Sequence, residues 1–325
     1  MGNVLEAVEA WAEKQADKPL YVFLDAHGKE VSRLTYTGFL ARVDAIASHL
    51  VAEHRLAMGD RVLIAYPPGL EMICAFFACT RAGLIPVPVP ALTAHGVGAT
   101  LFRMQHVARD CGAAGVLTDR DGLDRRLAQA DGESSLSALA WIVTEEMHDK
   151  VAADLSGRAN DIFFLQYTSG STSDPKGVMV SHDNIIINAR LVVNHEMPIS
   201  VSWLPQHHDM GLIGYYLNTA LSGGTLYGFS PTSFIQRPSL WLETISKYKA
   251  TATSAPNFAF EHCMRPGRIS AASLELLDLS SLRILMAAAE PIKPSVYRAF
   301  LQMFESHGLK PESFVVAYGL AENRL

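Results

Sequence analysis

Long apolar runs are missing from this chain. The longest, Met72 to Cys79, falls far short of the roughly 20 residues that a bilayer-spanning helix requires, so no membrane span is expected. Cysteine is scarce as well. Cys74, Cys79, Cys111 and Cys263 show no C-x-x-C spacing, and Cys74 and Cys79 fall in an apolar helix-like stretch, so the four read as buried free thiols of a cytoplasmic protein. A basic excess is also lacking. With 27 Lys+Arg against 33 Asp+Glu and a net charge of −6, the chain does not carry the clustered positive surface of a nucleic-acid binder, and an anionic ligand would have to be held by local donors. Neither a low-complexity tract nor a repeat of fixed period occurs, which argues against disorder and against a solenoid. The first residues show no signal-peptide pattern, and Glu6 stands where myristoylation wants Ser or Thr. What remains is 325 residues, 49% hydrophobic and 18% charged, enough for about two globular domains.

Apolar spacing alternates between the two periods of regular structure. Asn3 is placed to cap a helix bearing Val4, Leu5, Val8 and Trp11, and Tyr21–Leu24 with Val31–Tyr36 reads as a hairpin around residues 26–29. Thr37 is expected to cap a helix with Phe39, Leu40, Val43, Ile46 and Leu50 on one face. Strands are then expected near 61–66, 84–89, 115–118 and 141–144, with a helix to about Arg81 after the first and one near 101–110 after the second. Residues 145–160 are polar and irregular, which suggests a junction and hence two subdomains, 1–158 and 159–325. Past the junction, Ser181 is expected to cap a helix through Val193, and another helix is expected from Asp209 to Leu221. The fold class expected is α/β, layered subdomains with mainly parallel sheets.

Residues 167–177, Tyr-Thr-Ser-Gly-Ser-Thr-Ser-Asp-Pro-Lys-Gly, carry the strongest chemical signal. Thr168, Ser169, Ser171, Thr172 and Ser173 offer hydroxyls, Gly170 a bare backbone N–H, and Lys176 a mobile positive charge, which together suit polyphosphate oxygens. Asp174-Pro175 starts a turn, and Gly177 can take positive φ, so the chain can reverse before the strand-like Val178-Met179-Val180. Composition alone also fits a plain polar hairpin loop. The segment is not a Walker A sequence, because Lys176 is followed by Gly177 and Val178 rather than by Ser or Thr and a helix. The string itself resembles the phosphate loop of the acyl-adenylate-forming superfamily, which includes acyl-CoA synthetases, luciferases and peptide-synthetase adenylation domains. Ser173 departs from the glycine frequent there.

Three further segments follow in that family's order. Residues 202–214, Ser-Trp-Leu-Pro-Gln-His-His-Asp-Met-Gly-Leu-Ile-Gly, place His207, His208 and Asp209 together. Adjacent residues at a strand end diverge and rarely share one metal ion. The segment resembles instead the His-Asp-Met motif of the fatty acyl-AMP ligase branch, which implies that His208 lies between the acyl carboxylate and the phosphate loop. Asp209 and Met210 follow on the substrate side, and Gly211 and Gly214 are expected to let the next helix pack closely. Residues 286–292, Met-Ala-Ala-Ala-Glu-Pro-Ile, also fit an ordinary strand-to-helix turn. They resemble the family's Gly-Ala-Glu-Pro segment, with Ala288 in the glycine position, and imply that Ala288, Ala289, Glu290 and Pro291 border adenine. Residues 317–322, Ala-Tyr-Gly-Leu-Ala-Glu, resemble its Tyr-Gly-x-x-Glu motif, implying Tyr318, Gly319 and Ala321 at the nucleotide and Glu322, with Thr172, as a ligand of Mg²⁺. Asn257 and Phe258, in a stretch that also fits plain core, are similar to residues lining that branch's acyl channel.

The resemblance implies ATP-dependent activation of a long-chain fatty acid to acyl-AMP and pyrophosphate, with Lys176, His208 and Glu322 as catalytic residues. Its cofactors would be ATP and Mg²⁺, its acceptor an acyl carrier protein. An acyl-CoA synthetase of the same fold, or a module that binds nucleotide and acyl chain without turnover, remain alternatives. The family's ribose-binding Asp, hinge and C-terminal domain with its adenylation lysine have no match before Leu325, so an N-terminal part is expected.

Overall fold

The computed structural model describes residues 3–54, 56–94, 96–129, 136–168, 176–192 and 198–319. Within them the strands are β1 (Pro19–Leu24), β2 (Glu30–Thr35), β3 (Arg61–Ala65), β4 (Ile85–Pro88), β5 (Ala113–Thr118), β6 (Ala140–Val143), β7 (Ile162–Thr168), β8 (Lys176–Ser181), β9 (Ile199–Ser202), β10 (Thr225–Phe229), β11 (Ala252–Ala255), β12 (Ile284–Ala287) and β13 (Phe314–Val316). They form sheets that are parallel apart from β2 and the β7–β8 hairpin, as the α/β rhythm of the sequence leads one to expect.

One unit comprises residues 1–17, 36–186 and 206–209. Its four-stranded parallel sheet runs β4-β3-β5-β6. Val62, Leu63 and Ile64 of β3 are fully buried, the continuous apolar pattern of a strand covered on both faces. The helix Leu70–Arg81 is buried almost all round, and its Phe76 and Phe77 meet Phe163 and Phe164 of β7 edge to face at 5.3–6.0 Å. Each such ring contributes about 1.5–3 kcal/mol by leaving water. The first helix, Val4–Gln15, starts as the sequence indicates, with Asn3 and Glu6 forming a reciprocal capping box. Thr37 is not a cap. The next helix already begins at Tyr36, and the Thr37 hydroxyl donates to the Ala16 carbonyl at 3.1 Å. A helix at Arg120–Leu127, capped by Asp119, fills a stretch to which the sequence reading assigned no element.

The other unit comprises residues 18–35, 187–205 and 210–325. Its seven-stranded sheet has the order β13-β12-β11-β9-β10-β1-β2. A single cut at 158/159 therefore does not describe the chain. The β1–β2 hairpin joins this sheet because β1 pairs in parallel with β10, whereas β7 stays with the first unit because Ile162, Leu165 and Tyr167 pack on the core around β3, β4 and β5. The helix expected at 209–221 is present, but its middle, Leu212–Leu217, is wound as a π-helix. A π-segment of this kind commonly accompanies a functional site.

Candidate active site

In the first unit the hydroxyl-rich segment departs from a hydrogen-bonded strand pair. Thr168 of β7 faces Lys176 of β8, and Tyr167 faces Gly177, so the two ends of the segment are fixed within one ladder. Ser169, Gly170, Ser171, Thr172 and Ser173 lie outside the described residues, as do Ala321 and Glu322. Gly177 does not use the positive φ that glycine permits. It is glycine because the Tyr167 ring lies across it: a Cβ there would stand 2.8 Å from that ring. The Tyr167 hydroxyl in turn donates to the Asp110 carboxylate at the end of the helix Val97–Cys111.

The His turn of the same unit is held from both flanks. Gln206, which is buried, accepts from the Gly69 N–H at 2.8 Å and donates to the Gly69 carbonyl at 2.9 Å. Gln166 of β7 donates to the His207 carbonyl at 3.2 Å. His208 is half exposed, and its Nδ1 meets Asp209 Oδ1 at 2.7 Å. That hydrogen bond raises the His208 pKa above its ordinary value, favouring the cation, while burial lowers His207 to about 4 and keeps it neutral. The two neighbouring imidazoles are thus shifted in opposite directions. Neither Gln166 nor Gln206 was singled out from sequence. Gln166 left one trace, a single amide in the otherwise apolar run Ile162–Tyr167.

In the second unit the remaining motif residues follow the C-terminal ends of neighbouring parallel strands, the edge at which open α/β sheets bind ligands. Trp203 follows β9, is 3% exposed and stacks on Phe234 at 3.9 Å. Gly211 permits close approach, for a Cβ there would lie 2.2 Å from the Pro205 carbonyl oxygen. Gly214 does not: nothing stands within 4 Å of a Cβ at that position, so the close-packing expectation fails for it. Met210, beside Gly211, is partly buried.

After β11 comes Asn257, 2% exposed, whose amide donates to the Pro291 carbonyl and whose Oδ1 accepts from the Tyr297 hydroxyl. Phe258 keeps 41% of its surface exposed, and its backbone N–H donates to Glu290 at 2.8 Å. After β12, Ala288 donates to the Ala255 carbonyl at 3.4 Å and Ala289 adopts φ 70°. A non-glycine residue there is strained by about 1–2 kcal/mol. After β13, Tyr318 is 80% exposed, a ring face open to solvent, with Gly319 next to it. Asn257 and Glu290 thus have polar atoms engaged within the protein, tying the β11 and β12 loops together, while Phe258 and Tyr318 present free aromatic surface. Among the described residues no group of three or more His, Cys, Asp or Glu is arranged to hold a metal. No helix among them is long and apolar enough to cross a membrane.

A family model described as AMP-binding enzyme matches residues 8–324. The chain is 34% identical, over 99% of its length and 55% of the relative's, to the medium-chain-fatty-acid–acyl-carrier-protein ligase JamA of Moorena producens. It is 33% identical to the long-chain-fatty-acid–AMP ligase FadD32 of Mycobacterium marinum, over 99% of its length and 52% of that protein's. Among solved structures it is similar, with TM-score 0.86 and 35% identity, to a fatty acyl-adenylate ligase from L. pneumophila in complex with acyl adenylate and pyrophosphate, covering 98% of this chain and 55% of that one. The chain spans about half the length of these relatives. With the family model matched over nearly its whole length, and its motifs standing at the strand ends in family order, the chain belongs to the AMP-binding enzymes.

Proposed function

We propose that the protein of which this chain is all or part activates a long-chain fatty acid with ATP, forming acyl-AMP and pyrophosphate, and passes the acyl group to an acyl carrier protein in the cytoplasm. In this reaction a carboxylate oxygen bonds to the α-phosphorus, the bond from that phosphorus to the bridging oxygen breaks, and pyrophosphate leaves. The observation that carries the reading is the link between the two polar motifs. The ends of the hydroxyl-rich segment are clamped at Thr168 and Lys176, and the same strand β7 holds the His208 turn through Gln166. The flanks of the hydroxyl-rich segment and a cation-favouring imidazole are thereby fixed on one framework, which is what bringing a carboxylate against a phosphate requires. The likeness to the fatty-acid ligases JamA and FadD32 and to the L. pneumophila fatty acyl-adenylate ligase supports the substrate class.

Under this reading Thr168 to Ser173 and Lys176 hold the phosphates. Ala288, Ala289, Glu290, Pro291, Tyr318, Gly319 and Ala321 border the adenosine. His208, Asp209, Met210, Gly211, Asn257 and Phe258 line the acyl side. Glu322 and Thr172 are the proposed ligands of Mg²⁺, which would offset phosphate charge when bound.

The test is binding of stable acyl-AMP analogues to the chain, followed by thermal shift. The dodecanoyl analogue should raise the melting temperature more than AMP does, with an increment that grows with chain length, since each buried CH₂ contributes about 0.8 kcal/mol. Equal shifts for acetyl and dodecanoyl analogues would refute a fatty-acid pocket. Mass spectrometry of acyl-AMP, with carrier protein or CoA supplied as alternative acceptors, then identifies the product.

A further inference from the structure

Gln166 is 3% exposed and lies in β7 among Phe163, Phe164 and Leu165. Its amide is used on one side only. Nε2 donates to the His207 carbonyl at 3.2 Å and to the Tyr167 carbonyl at 3.3 Å, whereas Oε1 is buried with no hydrogen-bond partner among the described residues. A buried acceptor left unpaired destabilises a fold. The acceptor side therefore gives no reason for an amide here. Its donor side does, because the one distant group it reaches is the backbone immediately before His208. Gln206 fixes the start of the same turn to Gly69, so Gln166 supplies the second point, and two points set the direction in which the turn leaves.

We propose that Gln166 is a positioning residue for adenylation: by holding the His207 carbonyl to the strand that ends in Thr168, it sets where the His208–Asp209 pair stands relative to Thr168 and Lys176. The proposal rests on the functional reading above. It assigns Gln166 no contact with substrate.

Gln166→Met keeps the length and bulk and removes both polar atoms, and Gln166→Glu keeps the length but exchanges the donor for an acceptor. Gln166→Met relieves the unpaired Oε1 but takes the donor from the His207 carbonyl, two opposed effects of similar size, so its melting temperature should stay close to that of the parent chain. In proton NMR of the ligand-free protein, the ring resonances of His208 should move in both variants. With dodecanoate and ATP, the single-turnover rate of acyl-AMP formation should fall about two- to tenfold in Gln166→Met, the effect of losing one hydrogen bond, while half-saturation by ATP changes less than twofold. A lowered melting temperature with rate and ATP affinity falling in parallel would make Gln166 merely structural and overturn the proposal, as would His208 signals unchanged in both variants. Acyl-AMP formation is measured in the full-length protein; its absence there would count against the functional reading, and the stability and NMR results would still decide the role of Gln166.

Discussion

A methyl group added at Gly211 and one added at Gly214 should act in opposite directions, although the two glycines stand three residues apart on one helical segment. Neither lies in the left-handed region, so alanine is conformationally acceptable at both. At Gly211 the new Cβ would sit 2.2 Å from the Pro205 carbonyl oxygen, 3.0 Å from its carbon and 3.2 Å from the Leu204 carbonyl oxygen. Those atoms are backbone and cannot swing aside, so the strand exit or the helix must move by about 1 Å to restore ordinary contact. Overpacking of this kind costs about 1–3 kcal/mol. With an unfolding entropy of roughly 2.1 cal/mol/K per residue over 325 residues, each kcal/mol shifts the melting temperature by about 1.5 °C, giving a loss of about 1.5–4.5 °C for Gly211→Ala. At Gly214 the added methyl meets nothing within 4 Å. There the loss of backbone freedom in the unfolded chain dominates, and Gly214→Ala should gain about 0.4–1 kcal/mol. Scanning calorimetry and urea unfolding on the pair measure the contrast directly. Because Pro205 leads into the turn that carries His208, Gly211→Ala should also slow acyl-AMP formation more than its stability loss explains. A neutral Gly211→Ala, or a Gly214→Ala that is the more damaging, would refute the close-approach argument.

Two further outcomes follow from the site. Lys176→Ala should weaken ATP binding by about ten- to a hundredfold in calorimetry, since a charge-assisted bond to phosphate contributes roughly 1.5–3 kcal/mol; unchanged affinity would remove Lys176 from the phosphate site. His207 should make the fold acid-sensitive. Its pKa is lowered by burial from 6.5 in the unfolded chain to about 4, so the unfolded state binds the extra proton between those values and stability is lost as pH falls through that window. Between pH 7 and pH 5 the loss is about 2 kcal/mol by linkage. His208 has the opposite sign, its pair with Asp209 contributing below pH 6.5 and fading as pH rises through the raised folded value, so the comparison must be made between parent and His207→Asn in urea titrations at both pH values. Equal pH dependence of the two proteins would show that His207 is not buried neutral.

Much of this was legible in the linear sequence because the signals were local. Capping by Asn3 and Ser181, the apolar run of β3, and the strand that follows the hydroxyl-rich segment each depend on neighbours within a few residues. What escaped depends on partners far away in sequence. The reason for glycine at 177 is a cross-strand tyrosine, the burden on Asn257 comes from Tyr297 and Pro291, and Gln166 and Gln206 matter through His207 and Gly69. The π-wound stretch at Leu212–Leu217 carries no proline or glycine pair to announce it beyond Gly214. The division into units was also hidden, since β1 and β2 join a sheet whose other strands begin at Ile199.

That last pairing bears on how the chain is made. Thr225 at the start of β10 donates its hydroxyl hydrogen bond to the Pro19 carbonyl of β1, 206 positions earlier. At roughly 5–20 residues per second on the ribosome, β1 waits about 10–40 seconds for the strand it needs. Throughout that interval Leu20, Tyr21, Val22 and Leu24, all buried once folded, have only the short β2 as a neighbour in their own sheet. The nascent chain therefore offers a fixed apolar segment to the synthesis machinery throughout that interval, and slowing translation between β2 and β10 should raise its aggregation even where the finished fold is unchanged.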